Sequence, residues 1–536
     1  MPLQEQISAA REQSMSGLDV PWLLEQWAQR QPDKPCLIWA PFSGAEQVLT
    51  YAEVSTQARR LAGGLHRHGI AAGDFVLVHL DNSPEFVVSW YACAMLGAVA
   101  VSTNTHSVAR DLEYFAQHTA AVCAITQPAF ARLVRDACPA LQFVVVTDHD
   151  AGEIDPQYSD VCEDIQGLHY ADMLTDDALP GLERLAARNL SVQFTSGTTS
   201  RPKAVLWTHA NGLWAGKVSA IHMRLRRDDI TLVYMPLFHT NAQGYSMLAT
   251  HWSGGTIVLQ PKFSASRFWP LCLKHRVTWV SMIPFAFKAL MSQAVPEHQM
   301  RFWGGPANLP AVGQHFGVET IGWWGMTETL THGIVTDVDH PGPHGSLGRA
   351  APEYDIQIRN AAGEAVAAEE KGLLFIRGIP GVSLFKEYYR NDEATEAAFD
   401  ADGWFNTGDM VRSDADGWLF FSDREKDMLK VGAENVAASE IESVIMQTGL
   451  VEECAVVAQK HDMLDEVPVV FVIPSAKGLD LSAEELTQEI IGHCMVNLAD
   501  FKVVRDVHMV SSLPRSTLEK IAKNELRARL QPIKSS

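Results

Sequence analysis

The sequence predicts an α/β fold: a large N-terminal domain of α/β sheets carrying a small β-rich subdomain, then a small α+β domain at the C-terminus. Short runs rich in Val, Ile and Phe alternate with longer helical patterns, as expected of strands buried on both faces with helices between them. At 536 residues the chain exceeds one average domain. Its texture also changes twice, at Asp355 and again after Arg424.

In chain order, "FVLVHL" (75–80) reads as a strand, Pro84 to Met95 as a helix and "GAVAVST" as the next strand. "AVCAIT" and "FVVVTD" (143–148) continue the alternation, and "ITLVYMP", "GTIVLQP" and "VTWVSMIP" repeat it. From Asp355, "YDIQIRN", "GLLFIRG" and "GWLFFSD" are short strands punctuated by Gly and Asp, which makes the β-rich subdomain. The domain boundary falls within Asp423–Asp427, giving domains 1–424 and 425–536. In the second domain a helix starts near Ala437, "ECAVVAQ" and "VPVVFVIP" pair as strands, and another helix spans about Ser482 to Leu498.

Hydrophobic residues make up 47% and charged residues 20%, the balance of a chain that buries a large core. With 43 basic and 64 acidic residues the net charge is −21, and no basic stripe stands out. Nucleic acid and an anionic membrane surface are therefore poor partners for it. The N-terminal stretch lacks a continuous apolar core, so no signal peptide is expected. The longest apolar run, "FVVSWYACAMLGAVAV", is short for a membrane span and follows the charged "DNSPE", so it reads as a buried helix entering a strand. The eight cysteines show no C-x-x-C pair and sit among apolar neighbours, as buried free thiols of a reducing compartment do. A cytoplasmic enzyme is the expectation, with self-association left open.

One stretch stands apart. "FTSGTTSRPKAV", Phe194 to Val205, packs the hydroxyls of Thr195, Ser196, Thr198 and Thr199 around Gly197 and ends on Lys203. Such a loop offers a polyphosphate many donors and one point charge. It is not the P-loop G-x-x-x-x-G-K-[ST], because Pro202 precedes the lysine. Taken alone, the same residues also fit an ordinary Ser/Thr-rich surface loop. Downstream, "GWWGMTET" (322–329) sets two tryptophans beside Thr327 and Glu328, a carboxylate suited to hold Mg²⁺ against phosphates. "WFNTGD" (404–409) presents Asp409 after a tight Thr-Gly turn, in position to accept from ribose hydroxyls. Each acid alone would more often be a surface or turn residue. "DREKDMLKVGAENVAASEIE" (423–442) and "LPRSTLEKIAKNEL" (513–526) follow.

These five stretches, in this order, resemble the adenylate-forming superfamily, which includes acyl- and aryl-CoA synthetases, firefly luciferase and peptide-synthetase adenylation domains. The resemblance covers nearly the whole chain. It implies ATP, Mg²⁺ and coenzyme A as cofactors or co-substrates and a small carboxylic acid as substrate. By similarity, Thr195–Lys203 closes over the ATP phosphates, and Glu328 binds Mg²⁺ with Thr195. Trp324 stands where a tyrosine usually stacks on adenine, Gly304, Gly305 and Pro306 line its other face, and Gly325, Met326 and Thr327 complete the nucleotide site. Asp409 and Arg424 match the ribose-binding pair, and Lys426 the hinge about which a mobile C-terminal domain turns. Lys520 matches the lysine that contacts the carboxylate and α-phosphate in the first step. Lys430, Gly432, Ala433 and Glu434 fall on the loop lining the pantetheine tunnel. His239, Asn241, Gly322, Trp323 and Gly325 fall around the acyl pocket.

The implied chemistry is consistent with these residue types. Attack of a carboxylate on ATP brings two anions together, and a divalent cation and a lysine supply the cancelling charge. AMP is then a good leaving group for a thiol, and a domain turning on a hinge can present different groups to one carbon in the two steps. The sequence departs from the family pattern at Ser200, Ala204, Asp423, Ala433, Ala438 and Glu519, and none of these removes a reacting group. "LFHTNAQ" lacks the aspartate that pairs an amino acid's ammonium, which argues against a peptide-synthetase domain. Acetate-specific relatives carry Trp at the position of Gly325, so an acid larger than acetate is expected. "HLDNSPEFVVSWYACAMLGAVAVSTN", the loop with Ser200, and "GIPGVSLFKEYY" look most like carnitine/crotonobetaine-CoA ligase-type sequences. An AMP-forming acid–CoA ligase is the leading reading. An enzyme that hands acyl-AMP to a carrier protein or another acceptor is the alternative.

Overall fold

In the computed structural model, residues 15–150, 152–154, 158–195, 202–360, 362–424, 428–432, 434–514, 521 and 523–530 are described. The chain divides into two compact units, the larger ending at Asp423 and the smaller beginning at Arg424, and Thr195, Lys203 and His106–Leu112 group with the smaller.

The larger unit is built on two mainly parallel sheets. Among the described residues, one has eight strands ordered Glu387–Tyr388, Lys203–Thr208, Asn189–Thr195, Val99–Ser102, Phe75–His79, Cys123–Thr126, Phe143–Val146 and Leu168–His169. From Asn189–Thr195 to Leu168–His169 the neighbours run parallel, and Glu387–Tyr388 closes the edge antiparallel. The other has nine, with Glu319–Trp324, Phe302–Gly305, Trp279–Ser281, Ile230–Val233, Thr256–Leu259 and Pro35–Trp39 in one parallel run. These strands are buried along nearly their whole length because helices cover them, which is why they read as unbroken Val/Ile runs.

The "FVVSWYACAMLGAVAV" run is helix Pro84–Leu96 and strand Val99–Ser102. Ser83 caps the helix by accepting from Phe86 N–H, Pro84 occupies its first turn, and Gly97 ends it at φ +72°. The helix is buried almost all round, as its apolar sequence demands. All eight cysteines are buried and free. No helix among the described residues is long and apolar enough to cross a membrane.

A four-stranded sheet of Asp355–Arg359, Lys371–Arg377, Phe405–Ser413 and Leu419–Arg424 forms the β-rich part. Here the tight Thr-Gly turn expected before Asp409 is instead a bulge within strand Phe405–Ser413. The register slips between Leu373↔Met410 and Phe375↔Asn406, and Gly408 takes φ +70°. Asn406 Oδ1 accepts from Gly408 N–H at 2.9 Å, and Thr407 Oγ1 donates to Leu374 C=O at 2.8 Å, so the extra residues are stitched down on both sides. A bulge re-aims one side chain without ending the strand, and the side chain re-aimed here is Asp409.

In the smaller unit, Val451–His461 and Asp465–Pro474 pair antiparallel with Cys454 opposite Val472, and helices Ala438–Met446 and Ala483–Asn497 bury their apolar faces in the same core. Ser482 and Glu485 form a capping box at the start of the second helix. Lys502 is buried, with Nζ 2.7 Å from Glu440. Burial works against its charge, but Glu440, and then Asp111, hold the ammonium above its ordinary pKa.

Candidate active site

Apart from Asp409, which lies on the antiparallel strand Phe405–Ser413, the expected site residues of the larger unit follow the C-terminal ends of neighbouring parallel strands, where open α/β sheets place their ligands. Strands Phe302–Gly305 and Glu319–Trp324 pair with Gly304 opposite Ile321 and Gly305 opposite Gly322. Pro306 follows, exposed, while Gly304, Gly322, Trp323 and Trp324 are buried and Gly325, Met326 and Thr327 half-buried. Trp279–Ser281 ends beside them, and Ser281 Oγ donates to Asn241 Oδ1 at 2.8 Å.

Two buried carboxylates define the site. Glu328, 4% exposed, accepts from the Tyr388 hydroxyl at 2.9 Å. Burial, and then the Glu328 charge, push the Tyr388 phenol up, so it stays protonated and remains the donor. Asp409, 6% exposed, accepts from the Trp324 indole N–H at 2.8 Å, and its own N–H donates to Thr407 Oγ1 at 3.1 Å. Trp324 is thus tied edge-on to the expected ribose-binding acid. Trp324→Phe should leave that buried carboxylate one donor short and cost about 1–3 kcal/mol of stability. Urea unfolding checks this, and an unmoved midpoint would mean the indole N–H carries no weight there.

Two side chains, Thr240 and Trp207, reach the segment before Glu328. Thr240 Oγ1 lies 2.6 Å from Gln193 Oε1 and 3.1 Å from Thr327 Oγ1. Gln193 Nε2 donates to Gln243 Oε1 at 2.8 Å, and Gln243 Nε2 to Ser102 Oγ at 3.0 Å. Trp207 Nε1 donates to Thr327 C=O at 3.0 Å. This chain of bonds ties strand Asn189–Thr195, the π-helix Asn241–Leu248 and Thr327 into one buried network. Just beyond, Leu330 takes φ +66° although fully buried, a strained conformation for a branched side chain and one that clusters at functional sites. His239 is half-buried, its ring 4.6 Å from that of Phe238.

Two glycines have packing reasons for being glycine. A Cβ on Gly304 would run into the Trp323 ring, and one on Gly325 into the Tyr245 hydroxyl and the Thr331 carbonyl. The bare Gly325 therefore makes room for Tyr245 and opens no pocket of its own, so it does not by itself admit an acid larger than acetate. Trp323 stacks on His332, with ring centroids 4.5 Å apart and 14° between planes, and Tyr245 meets His332 edge-on at 4.5 Å. Burial, then the neighbouring His222, hold His332 well below the usual imidazole pKa, so it is neutral.

In the smaller unit, Thr195 ends its strand half-buried and Lys203 begins the next. Arg424 ends strand Leu419–Arg424. Lys430 and Glu434 lie on the hairpin Met428–Val431/Glu434–Ala437, and Gly432 beside it takes φ +63°. Gly432 N–H donates to Leu464 C=O at 2.7 Å, and Lys430 N–H to Glu466 at 2.7 Å. Ser196, Gly197, Thr198, Thr199, Lys426, Ala433 and Lys520 lie outside the described residues.

Tyr388, Tyr245, His332 and the Gln193–Gln243 pair were not singled out from sequence. Tyr388 stood within "LFKEYY", but nothing local marks a tyrosine that reaches an acid sixty positions earlier. As for fit, a buried carboxylate held by a neutral hydroxyl is the donor chemistry that Mg²⁺ takes, with phosphates and water supplying the remaining oxygens.

The AMP-binding enzyme family profile matches residues 24–389, and the AMP-binding enzyme C-terminal domain profile residues 440–520. Crotonobetaine/carnitine–CoA ligase of Proteus mirabilis is 33% identical over 528 residues, 94% of this chain and 98% of that one. The fatty acyl CoA synthetase of Mycobacterium tuberculosis superposes with TM-score 0.66 at 28% identity, covering 95% of this chain and 98% of that chain. The o-succinylbenzoate CoA synthetase of Bacillus subtilis superposes with TM-score 0.81 over 95% and 98% of the two chains, a likeness of fold at 24% identity.

Proposed function

The chain belongs to the AMP-binding enzyme family and is an AMP-forming acid–CoA ligase using ATP, Mg²⁺ and CoA; from this we propose that it activates a carboxylic acid larger than acetate. The observation that carries the assignment of residues is the pair of buried carboxylates, Glu328 just after strand Glu319–Trp324 and Asp409 on the bulge of strand Phe405–Ser413. Glu328 is oriented by Tyr388, and Asp409 by Trp324. In this reading Mg²⁺, when bound, cancels charge on the phosphates. Glu328 and the Thr195 hydroxyl would hold that ion. Asp409 and Arg424 hold the ribose, and Trp324 and Gly305 flank the base. The hydroxyl-rich loop and Lys203 take the outer phosphates. Lys520 serves the first step. The hairpin with Lys430, Gly432 and Glu434 lines the thiol's path in the second, after a turn about Lys426.

The size of the acid is supported by the crotonobetaine/carnitine–CoA ligase relatives rather than by Gly325. A hydrophobic pocket discriminates weakly between acids differing by a methylene, so identity at this level transfers the subgroup and not one compound. AMP and pyrophosphate release with Mg-ATP should be measured over short aliphatic, trimethylammonium-bearing, branched and aromatic acids, with and without CoA. Turnover is expected to need CoA and to favour one class over acetate. Acetate turned over best would sink the size assignment, and adenylate formation indifferent to CoA would move the second step to another acceptor.

A further inference from the structure

We propose that Tyr388 is the positioning residue that sets the Glu328 carboxylate for its divalent metal, an inference resting on the reading of Glu328 given above. The terminal torsion of a glutamate is soft and nearly two-fold, so a carboxylate on its own rotates freely about its last bond. One short, directional bond to a rigid donor removes that freedom. Tyr388 supplies it: its hydroxyl lies 2.9 Å from Glu328 Oε1, and both side chains are buried.

The tyrosine is itself held. Its residue pairs with Val205 in the strand that follows the hydroxyl-rich loop. Its N–H donates to Thr395 Oγ1 at 3.0 Å, its C=O accepts from Asn391 N–H at 3.0 Å, and its ring packs 4.7 Å from that of Phe385. The same segment grips Glu328 a second time, because Phe385 N–H donates to the Glu328 carbonyl at 2.8 Å. Main chain and side chain of the acid are therefore both referenced to one short stretch, 385–388. The donor's chemistry also matters. A lysine or arginine here would neutralise the carboxylate, whereas a phenol orients it without cancelling its charge. Outer partners of this kind orient metal-ligating side chains, and their removal costs about 10- to 100-fold in metal affinity.

The test uses the full chain with α,β-methylene-ATP, whose carbon bridge between the α- and β-phosphorus prevents transfer of its adenylyl group, and Mn²⁺ as the metal probe, titrated by electron paramagnetic resonance. Tyr388→Phe keeps the ring and its packing while removing only the hydroxyl. It should weaken Mn²⁺ by about 10-fold, the low end of that range, with nucleotide affinity in EDTA unchanged. Glu328→Gln should weaken Mn²⁺ at least as much, and the double variant no more than Glu328→Gln alone. Wild-type Mn²⁺ affinity in Tyr388→Phe, with Glu328→Gln still weak, would overturn the role of Tyr388 and leave Glu328 as ligand. Additive losses in the double variant would equally overturn it, since the hydroxyl would then act elsewhere. Unchanged affinity in Glu328→Gln would remove the metal reading itself, and this inference with it.

Discussion

Glu328→Gln should lower kcat/KM for adenylation by about 100- to 1,000-fold, the scale of losing one preorganised charge at a developing transition state. Glu328 is 4% exposed and is gripped from both its carboxylate and its carbonyl by the 385–388 segment. The glutamine is nearly isosteric, and its amide oxygen can still accept from the Tyr388 hydroxyl. The fold should therefore be retained, because a buried charge is exchanged for a neutral group that keeps its hydrogen bond. The loss should appear in the acid-dependent exchange of pyrophosphate into ATP, with the Mg²⁺ requirement moved to higher concentration. Exchange at the wild-type rate, with an unmoved Mg²⁺ requirement, would remove Glu328 from the metal site.

Lys520→Ala should separate the two half-reactions. Adenylation brings a carboxylate up to the α-phosphate, and one well-placed cation there is worth about 100-fold or more. Attack of a thiol on a mixed anhydride already formed has no such clash of anions. Lys520→Ala is therefore expected to lose acyl-AMP formation while converting supplied acyl-AMP and CoA to thioester at close to the wild-type rate. Single-turnover measurements of the two steps decide it. Equal losses in both would contradict the assignment of Lys520 to the first step alone, and with it the turn of the C-terminal domain between steps.

The strands were legible because parallel strands covered on both faces must be apolar at successive positions. "FVLVHL", "AVCAIT" and "GTIVLQP" all became such strands. "WFNTGD" predicts a turn because Asn, Thr and Gly are turn formers, yet pairing with Lys371–Arg377 absorbs them into a bulge. Gly325, with no side chain where acetate-specific relatives carry Trp, predicts room for a larger acid. Its neighbour in the fold is Tyr245, eighty positions earlier, and no local pattern announces that contact.

By itself, the sequence determined the class of chemistry and the order of elements, because the strands rest on local apolar runs and the chemistry on five short stretches in a set order. Tertiary structure alone decided what Glu328 and Asp409 touch. Tyr388 stands sixty positions beyond Glu328 and Trp324 eighty-five positions before Asp409, brought there by strand register across separate sheets. Register depends on how whole faces pack, so a residue's neighbours in space follow from the assembled core and not from its neighbours in the chain.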